Sequence, residues 1–441
     1  MICVAVLAVI TRGFLIDRSI CPDAETCAKA CEYEGVDYKS LGVTTEGSAL
    51  TMRLFLPNET GGYTRVSPRL YLLAEDDMNY EPIRLLNQEM SFDVDMLTLG
   101  CGLNGALYLD EMDFSGSRSE TDPAGAQYGT GYCDAQCYNK TMINGVPSLN
   151  NSGACCHEMD IWEANGLATV LTPHTCSKPG PFLCTGAECG REAPGVCDKA
   201  GCGLNPYKTV GPDFYGPGKT VDTKRPFAVV TQFWTDPQTN KLSDIRRIYV
   251  QDGRSISAAS PEGEAAGGGA NNTATAEFCT SNKKEAFDRL GGMEAAGEAL
   301  DRGMVLIFSI WNDLKTNMNW LDSGEAGPCG PDDGAPEKVL VANPSDNTIV
   351  DTATPTITNE FHSLTGIGWY GPAYRVTTCS TQFFYGKLYE QFRVKWIFVT
   401  CVVILELGSI VCASAPTSTA FIIGRAIAGC GASGIVTGVF M

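Results

Sequence analysis

The chain has 441 residues and a formal net charge of −19 at pH 7, because 51 acidic residues outnumber 32 basic ones. This acidity leaves no basic stripe to neutralise phosphates, which argues against nucleic-acid binding. The length allows several ordinary domains or one large β domain followed by a second unit, and the 48 glycines favour β structure for most of the chain.

The first twenty residues form an apolar leader that does not fit the pattern of a signal peptide. Its apolar run, Ile2–Ile10, comes before Arg12, whereas a signal peptide has its positive charge before the apolar run and small residues after it. Residues 1–20 are therefore left unassigned.

The cysteines predict a disulfide framework. Fifteen of the twenty fall between Cys21 and Cys329, often closely spaced. A zinc site made of two cysteine pairs near residues 133–156 would leave eleven others without a purpose, so we favour disulfides. Secretion is also indicated by glycosylation sequons at Asn58, Asn139, Asn150 and Asn271.

Residues 40–110 show the period-two alternation of strands in a large β-sandwich. The clearest runs are Ala49–Leu56, Arg69–Leu73 and Met90–Met96, and Gly102–Tyr108 follows as a further strand.

The stretch Cys155–Asn165 concentrates three carboxylates as E-x-D-x-x-E. As a β-strand it places Glu158, Asp160 and Trp162 on one face and the two apolar residues between them on the other. Strict alternation sends Glu163 to the wrong face. A bulge or strand end after Trp162 is therefore required if Glu163 is to join the other acids.

Crowded carboxylates raise one another's pKa, and glycoside hydrolysis can use this effect. A retaining mechanism needs one ionised carboxylate and one protonated carboxyl, about 5–5.5 Å apart. From the residues alone, a solvated acidic edge or a Ca²⁺ site remains an alternative.

The string from Gly153 to Asn165, with Leu171–Cys176 after it, strongly resembles the catalytic strand of glycoside hydrolase family 7, the fungal secreted cellulases. The resemblance implies Glu158 as nucleophile, Glu163 as acid/base and Asp160 as the neighbour that holds the nucleophile. It also implies a mainly β, concanavalin-like sandwich (jelly roll) with long disulfide-rich loops, and no cofactor or metal.

The resemblance further implies a set of substrate-binding residues along the same cleft. The two tryptophans in it suit sugar rings, because indole faces offer a large apolar contact area. The set is Asn104, Tyr108, Tyr132, Asp134, Gln136, His174, Trp311 and Trp320.

Only seventeen residues separate Cys137 from Cys155. This short loop resembles the endoglucanase branch, in which the cleft stays open. The expected function is a retaining endo-β-1,4-glucanase that cuts internal bonds of cellulose or β-glucan. The alternatives are a cellobiohydrolase, or an inactive fusion of cellulase and transporter fragments.

By the same resemblance the disulfides are expected at 21–27, 101–329, 133–156, 137–155, 176–197, 184–189 and 202–279, with Cys31 unpaired. The resemblance starts abruptly at Cys21, so residues 21–345 are expected to be a catalytic domain that lacks its amino-terminal part. A last strand is expected near Asn347, and none is evident.

Residues 346–441 differ sharply in composition. Trp396–Ala415 and Thr419–Met441 are predicted to span a membrane, with Tyr370–Leu388 as a weaker third segment. Arg425–Ala432 resembles the R-x-x-x-G-x-G-A motif of major facilitator superfamily antiporters. We therefore expect a secreted cellulase part joined to a partial transporter, with membrane contact through residues 366–441.

Overall fold

The structure is a computed structural model. It describes residues 4–6, 23, 26, 36–46, 49–139, 142–143, 146–148, 152–257, 273–282, 285–342, 348–351, 377, 380–381, 385, 387–389, 394–413, 415 and 417–439. The chain divides into two compact units, Met1–Thr352 and Ala353–Met441.

The first unit consists mainly of strands. In chain order they are β1 Val4–Val6, β2 Val43–Glu46, β3 Ala49–Arg53, β4 Phe55–Pro57, β5 Tyr63–Arg65, β6 Arg69–Leu72, β7 Pro82–Ile83, β8 Glu89–Val94, β9 Asn104–Asp110, β10 Met142–Ile143, β11 Val146–Pro147, β12 Gly153–Cys155, β13 Glu158–Ala164, β14 Thr169–His174, β15 Phe182–Cys184, β16 Tyr215–Gly216, β17 Val221–Asp222, β18 Phe227–Thr235, β19 Leu242–Gln251, β20 Arg254–Ile256, β21 Thr273–Thr275, β22 Met304–Trp311 and β23 Thr348–Asp351.

The helices are short in the first unit and long in the second. They are α1 Pro206–Thr209, α2 Ala276–Ser281, α3 Glu285–Arg289, α4 Gly292–Arg302, α5 Asn319–Asp322, α6 Pro336–Ala342, α7 Val394–Ala413 and α8 Ser418–Val439. Single 3₁₀ turns lie at Tyr38–Leu41, Gly125–Tyr128 and Gly186–Cys189.

Two antiparallel sheets form the sandwich. The seven-stranded sheet has the order β1-β6-β22-β9-β13-β14, with β7 also paired to β22. The five-stranded sheet has the order β20-β19-β18-β8, with β21 on β19. Apolar side chains from both sheets meet between them, for example Trp162 and Ile310 from the first against Phe227 and Tyr249 from the second. The predicted β-sandwich is confirmed.

At one end of the first unit a sequence expectation is wrong, and at the other end the unassigned leader contains a strand. Val350 in β23 pairs antiparallel with Thr51 in β3, so a last strand does follow Asn347. Within the leader, β1 pairs with β6 at the edge of the seven-stranded sheet. Both strands are three or four residues long and rich in β-branched side chains, which is too short for an alternating pattern to stand out.

Six of the seven predicted disulfides are present, and they fasten the loops to the sheets. They are Cys101–Cys329, Cys133–Cys156, Cys137–Cys155, Cys176–Cys197, Cys184–Cys189 and Cys202–Cys279. The pair 21–27 and the unpaired Cys31 lie outside the described residues.

In the second unit, α7 and α8 pack closely through small residues: a Cβ on Gly408 would lie 2.4 Å from the backbone nitrogen of Ala428. Within the described part of the chain, no helix combines the length and the apolar character needed to cross a bilayer. The predicted spans at Trp396–Ala415 and Thr419–Met441, and with them the membrane contact, are therefore not supported. Charges such as Glu406 and Arg425, together with the many small residues of α8, reduce the apolar character. Most of the weaker segment lies outside the described residues.

Candidate active site

A bulge in β13 brings the third carboxylate to the same face as the first two. Between Met159 and Trp162 the strand advances three residues while its partner β9 advances two, and the register against β14 shifts between Asp160 and Glu163. The extra residue reverses the alternation, so Glu163 joins Glu158 and Asp160. The bulge precedes Trp162. We therefore correct the prediction that Trp162 shares the acidic face, because it packs in the core between the sheets.

Arg247 of β19 stabilises this bulge from the core side. Its guanidinium donates to the Ile161 carbonyl, which the bulge removes from regular pairing, and also to Thr231 Oγ1. The same group lies 5.4 Å from the centre of the Trp162 ring. A buried cation thus supplies the hydrogen bond that the distorted strand lacks.

Glu158 is buried, and two contacts favour its ionised form against the effects of burial and of Asp160. The backbone N–H of Ala135 donates to its Oε2 at 3.0 Å. Burial, followed by the charge of Asp160, raises the pKa of Glu158 well above its usual range, while His174 and the Ala135 hydrogen bond oppose the rise. The two opposing contacts are those that stabilise the ionised form.

Asp160 and His174 form a buried ion pair beside Glu158. His174 Nε2 lies 3.1 Å from Asp160 Oδ2, and its Nδ1 lies 2.7 Å from the Asp198 carbonyl, so Nδ1 carries a proton. Burial lowers the pKa of His174, but the hydrogen bond and charge of Asp160 outweigh it and raise the pKa to about 10. The ring is therefore an imidazolium at neutral pH. One possible metal-ligand atom from each of Glu158, Asp160 and His174 lies within 4.8 Å of the other two, a spacing that is also compatible with a metal ion. The Asp160–His174 ion pair explains this close spacing without a metal.

Glu163 is held by an amide instead of a cation. Asn104 Nδ2 donates to Glu163 Oε1 at 2.8 Å, while Asn104 Oδ1 accepts the Ala164 N–H at 3.1 Å. Burial and then the charge of Asp160 raise the pKa of Glu163 well above its usual range, which favours a protonated carboxyl. Asn104 was expected to contact substrate; in this structure it is fully buried and holds Glu163.

Tyr108 and Tyr132 lie on the same face as the carboxylates but are buried. Their hydroxyls are 3.5 Å apart, and the guanidinium of Arg69 lies 3.8 Å from the centre of the Tyr132 ring. Arg69 was not predicted from the sequence, because a single arginine at the start of an apolar strand does not indicate that it contacts Tyr132.

Asp134 and Gln136 have backbone partners. The Cys137 N–H donates to Asp134 Oδ1 at 2.9 Å, and Gln136 Nε2 donates to the Lys199 carbonyl at 3.1 Å. Both residues therefore order the loop that carries Ala135, the donor to Glu158.

The two predicted tryptophans meet. Trp311 and Trp320 stack with ring centroids 5.9 Å apart and planes at 28°, and Trp320 is 42% exposed. Trp311 is paired across the sheet with Asn104, so the stack begins beside the residue that holds Glu163. The exposed indole is that of Trp320, which reaches the site through Trp311.

Asp110 is a further carboxyl that the sequence analysis missed. It is fully buried at the end of β9 and lies opposite Glu158 in the antiparallel register. In the sequence, an aspartate after an apolar strand usually marks the end of that strand in solvent. Only the pairing of β9 with β13 shows that Asp110 lies opposite Glu158.

Comparison with known proteins agrees with this geometry. Residues 8–351 match the family model described as Glycosyl hydrolase family 7, and residues 339–440 match that of the Major Facilitator Superfamily. The endo-beta-1,4-glucanase celB of Aspergillus oryzae is 52% identical over 325 residues, which cover 73% of this chain and 76% of that protein. Endoglucanase EG-1 of Hypocrea jecorina is 45% identical over 337 residues, covering 76% of this chain and 66% of that one.

Solved structures give the same result. The native endocellulase EGI of Humicola insolens superposes with a TM-score of 0.70 at 46% identity, covering 76% of this chain and 83% of that one. A cellobiohydrolase from Daphnia pulex superposes with a TM-score of 0.67 at 33% identity, covering 76% and 86%. With a family model that matches most of its length, the chain belongs to glycosyl hydrolase family 7.

Proposed function

We propose that the first unit is a retaining endo-β-1,4-glucanase in which Glu158 is the nucleophile and Glu163 the acid/base. The observation that carries the proposal is the contrast between two buried carboxyls on one face. Glu158 accepts a hydrogen bond from a backbone N–H and lies beside the Asp160–His174 ion pair, whereas Glu163 accepts one from the neutral amide of Asn104. Burial and Asp160 raise the pKa of both acids, so the difference in their hydrogen-bond partners is what supports an ionised Glu158 and a protonated Glu163, as a retaining mechanism requires.

In the first step Glu158 attacks the anomeric carbon while Glu163 gives its proton to the departing sugar oxygen. The C–O bond to the leaving group breaks, an ester to Glu158 forms, and Glu163 becomes a carboxylate. In the second step Glu163 takes a proton from water, the resulting hydroxide attacks the anomeric carbon, and Glu158 leaves as a carboxylate. No net proton is gained or lost by the enzyme.

Asp160 and His174 act through Glu158. The imidazolium offsets the charge of Asp160, so two carboxylates two residues apart can both be ionised beside the developing positive charge of the sugar ring. The Nδ1–H bond to the Asp198 carbonyl fixes the ring's orientation. Removal of His174 should therefore make Glu158 harder to ionise.

The proposed substrate is an internal segment of cellulose or another β-glucan, with Trp320 as an exposed stacking surface beside the acid/base. Cleavage within the chain, as opposed to release of cellobiose from an end, is supported by the short Cys137–Cys155 loop and by the higher identity to endoglucanases than to the cellobiohydrolase. Six disulfides support secretion into an oxidising environment.

Paired substitutions with two substrates test the roles. E158Q should abolish turnover of all substrates, because an amide cannot form the ester intermediate. E163Q should slow cellulose hydrolysis severely and hydrolysis of an activated aryl glycoside mildly, because a good leaving group needs no proton. The matched control is E89Q in β8, on the other sheet, where the Glu89 carboxylate accepts a hydrogen bond from Gln232 Nε2. Equal slowing of both substrates by E163Q would refute its role as the acid.

For residues 346–441 we propose an origin in a major facilitator superfamily protein, joined to the hydrolase, with no transport activity of its own. The family match over 339–440 and the motif at Arg425–Ala432 support this. The test is mass spectrometry of the natural protein. Peptides that cross residues 335–365 are expected, and a hydrolase whose peptides never extend past this junction would refute the fusion.

A further inference from the structure

Asp110 lies directly opposite the proposed nucleophile. In the antiparallel pairing of β9 with β13, Asp110 faces Glu158, and the neighbouring Glu111 N–H donates to the His157 carbonyl at 3.0 Å. This bond makes Asp110 and Glu158 a non-hydrogen-bonded pair, the kind in which facing side chains come closest, with Cα atoms about 4.5 Å apart. Like charges at such positions destabilise a sheet.

The side-chain carboxyl of Asp110 has no hydrogen-bond partner in the described part of the chain. Both of its carboxylate oxygens are buried and without a partner. On its other side β9 pairs with β22, where the residue opposite is Val305. An ionised carboxylate in this position would carry the full cost of desolvation, while a protonated one would carry much less.

Three elements and one loop packed against Asp110 contribute charged or titratable groups, and three of these six groups are carboxyls. Burial and then the charges of Glu158, Asp134 and Asp160 raise the pKa of Asp110 well above the usual range, and Arg69 opposes the rise. The charged and titratable groups around Asp110 are Glu158 and Asp160 from β13, Asp134 from the adjoining loop, Tyr108 from β9, and Arg69 and Tyr71 from β6.

We propose that Asp110 and Glu158 form a carboxyl dyad that holds one proton, and that the proton resides on Asp110. Glu158 has the Ala135 N–H at 3.0 Å and the nearby imidazolium to support a charge, and Asp110 has neither. Asp110 is thus a positioning residue: by taking the proton it leaves Glu158 ionised for attack. This inference rests on the proposed role of Glu158, but its main test needs no activity.

The test is the pH dependence of the unfolding equilibrium in wild type, D110N, E158Q and the double variant. An acid whose pKa is raised by folding stabilises the protein fully below its unfolded pKa, about 3.9, and this stability is lost as pH rises toward the folded pKa. D110N should therefore become more stable than wild type as pH rises. Its unfolding equilibrium constant should fall, relative to that of wild type, by up to about tenfold per pH unit above about pH 4. D110S, smaller and equally neutral, serves if D110N does not fold.

The double variant identifies the partner. With Glu158 neutral, Asp110 no longer faces a charge, so the pH-dependent gain from D110N should be smaller in the E158Q background, and E158Q alone should flatten the pH dependence of wild type. The matched control is D122N, another buried aspartate with one unpartnered oxygen, whose other oxygen accepts the Gly125 N–H in a loop outside β9 and β13. A gain from D110N that does not vary with pH, or is the same in both backgrounds, would overturn the dyad.

The pH profile of kcat/KM shows which residue holds the proton. If Asp110 is protonated throughout the acid limb, D110N replaces one neutral group by another and leaves that limb in place. A move of the limb to lower pH by about one unit would show that Asp110 carries the charge. An active E158Q would refute the proposed function, and the stability arm would still test the dyad.

Discussion

His174 and His157 are two buried histidines whose replacement should have opposite pH dependence. His174 pairs with Asp160 and has a pKa raised to about 10. Burial lowers the pKa of His157, and its Nδ1 accepts the Cys176 N–H at 3.2 Å, so the ring is neutral. We expect H174N to be most harmful in acid and H157N to be most harmful at neutral and alkaline pH.

The magnitude follows from the shift of His174. The pKa of His174 rises from 6.5 to about 10. At about 1.4 kcal/mol per pH unit, the charged ring contributes at most about 5 kcal/mol to the free energy of unfolding. Breaking one partner out of a buried ion pair costs about 3–5 kcal/mol, which agrees. Because the folded pKa is raised, this stability is complete below pH 6.5 and is lost as pH rises through about 10.

The assay is urea-induced unfolding followed by tryptophan fluorescence, with disulfides intact, in steps from acid to alkaline pH. The free energy of unfolding lost in H174N should be about 3–5 kcal/mol below pH 6.5 and should shrink toward zero near pH 10. The loss in H157N should grow from acid to neutral pH and then stay level, because a lowered pKa makes stability disappear as pH falls. A loss in H174N that is the same at every pH would refute the assignment of His174 as a cation.

Three further changes test other parts of the site. N104A removes the amide that lowers the pKa of Glu163, so the alkaline limb of kcat/KM should move to higher pH; an unmoved limb would contradict the contact's importance. W320A should reduce kcat/KM on cello-oligosaccharides roughly two- to tenfold, since aromatic stacking contributes about 0.5–1.5 kcal/mol, and W234A, an exposed tryptophan on β18, should have no effect. C101S/C329S opens a bridge between residues 228 apart and should cost about 2–5 kcal/mol in the free energy of unfolding; an unchanged Tm would show that the bridge is dispensable.

The features that could be predicted from the sequence are those in which local pattern and chemistry coincide. The family, the β-sandwich and six disulfides are confirmed. The need for a bulge in β13 followed from alternation alone, since Glu163 has the wrong parity to join Glu158. The site of the bulge did not, because the freed Ile161 carbonyl accepts a hydrogen bond from Arg247, which lies 85 residues after Trp162 in the chain.

Roles that depend on pairing between distant strands were out of reach. Asn104 holds Glu163, and Asp110 faces Glu158, only because β9 lies beside β13 in this register. The carboxy-terminal helices were overestimated as membrane spans, since an apolar run in the sequence hides the small and charged residues that two packed helices share.

The most direct test of the central claim is the stereochemistry of the first product. Hydrolysis of a soluble β-glucan oligosaccharide should be followed by ¹H NMR from the first seconds, before the anomers interconvert. Two displacements at the same carbon, through an ester to Glu158, predict that the β-anomer appears first and the α-anomer grows only by mutarotation. If the α-anomer appears first, water attacks directly and Glu158 is not a nucleophile.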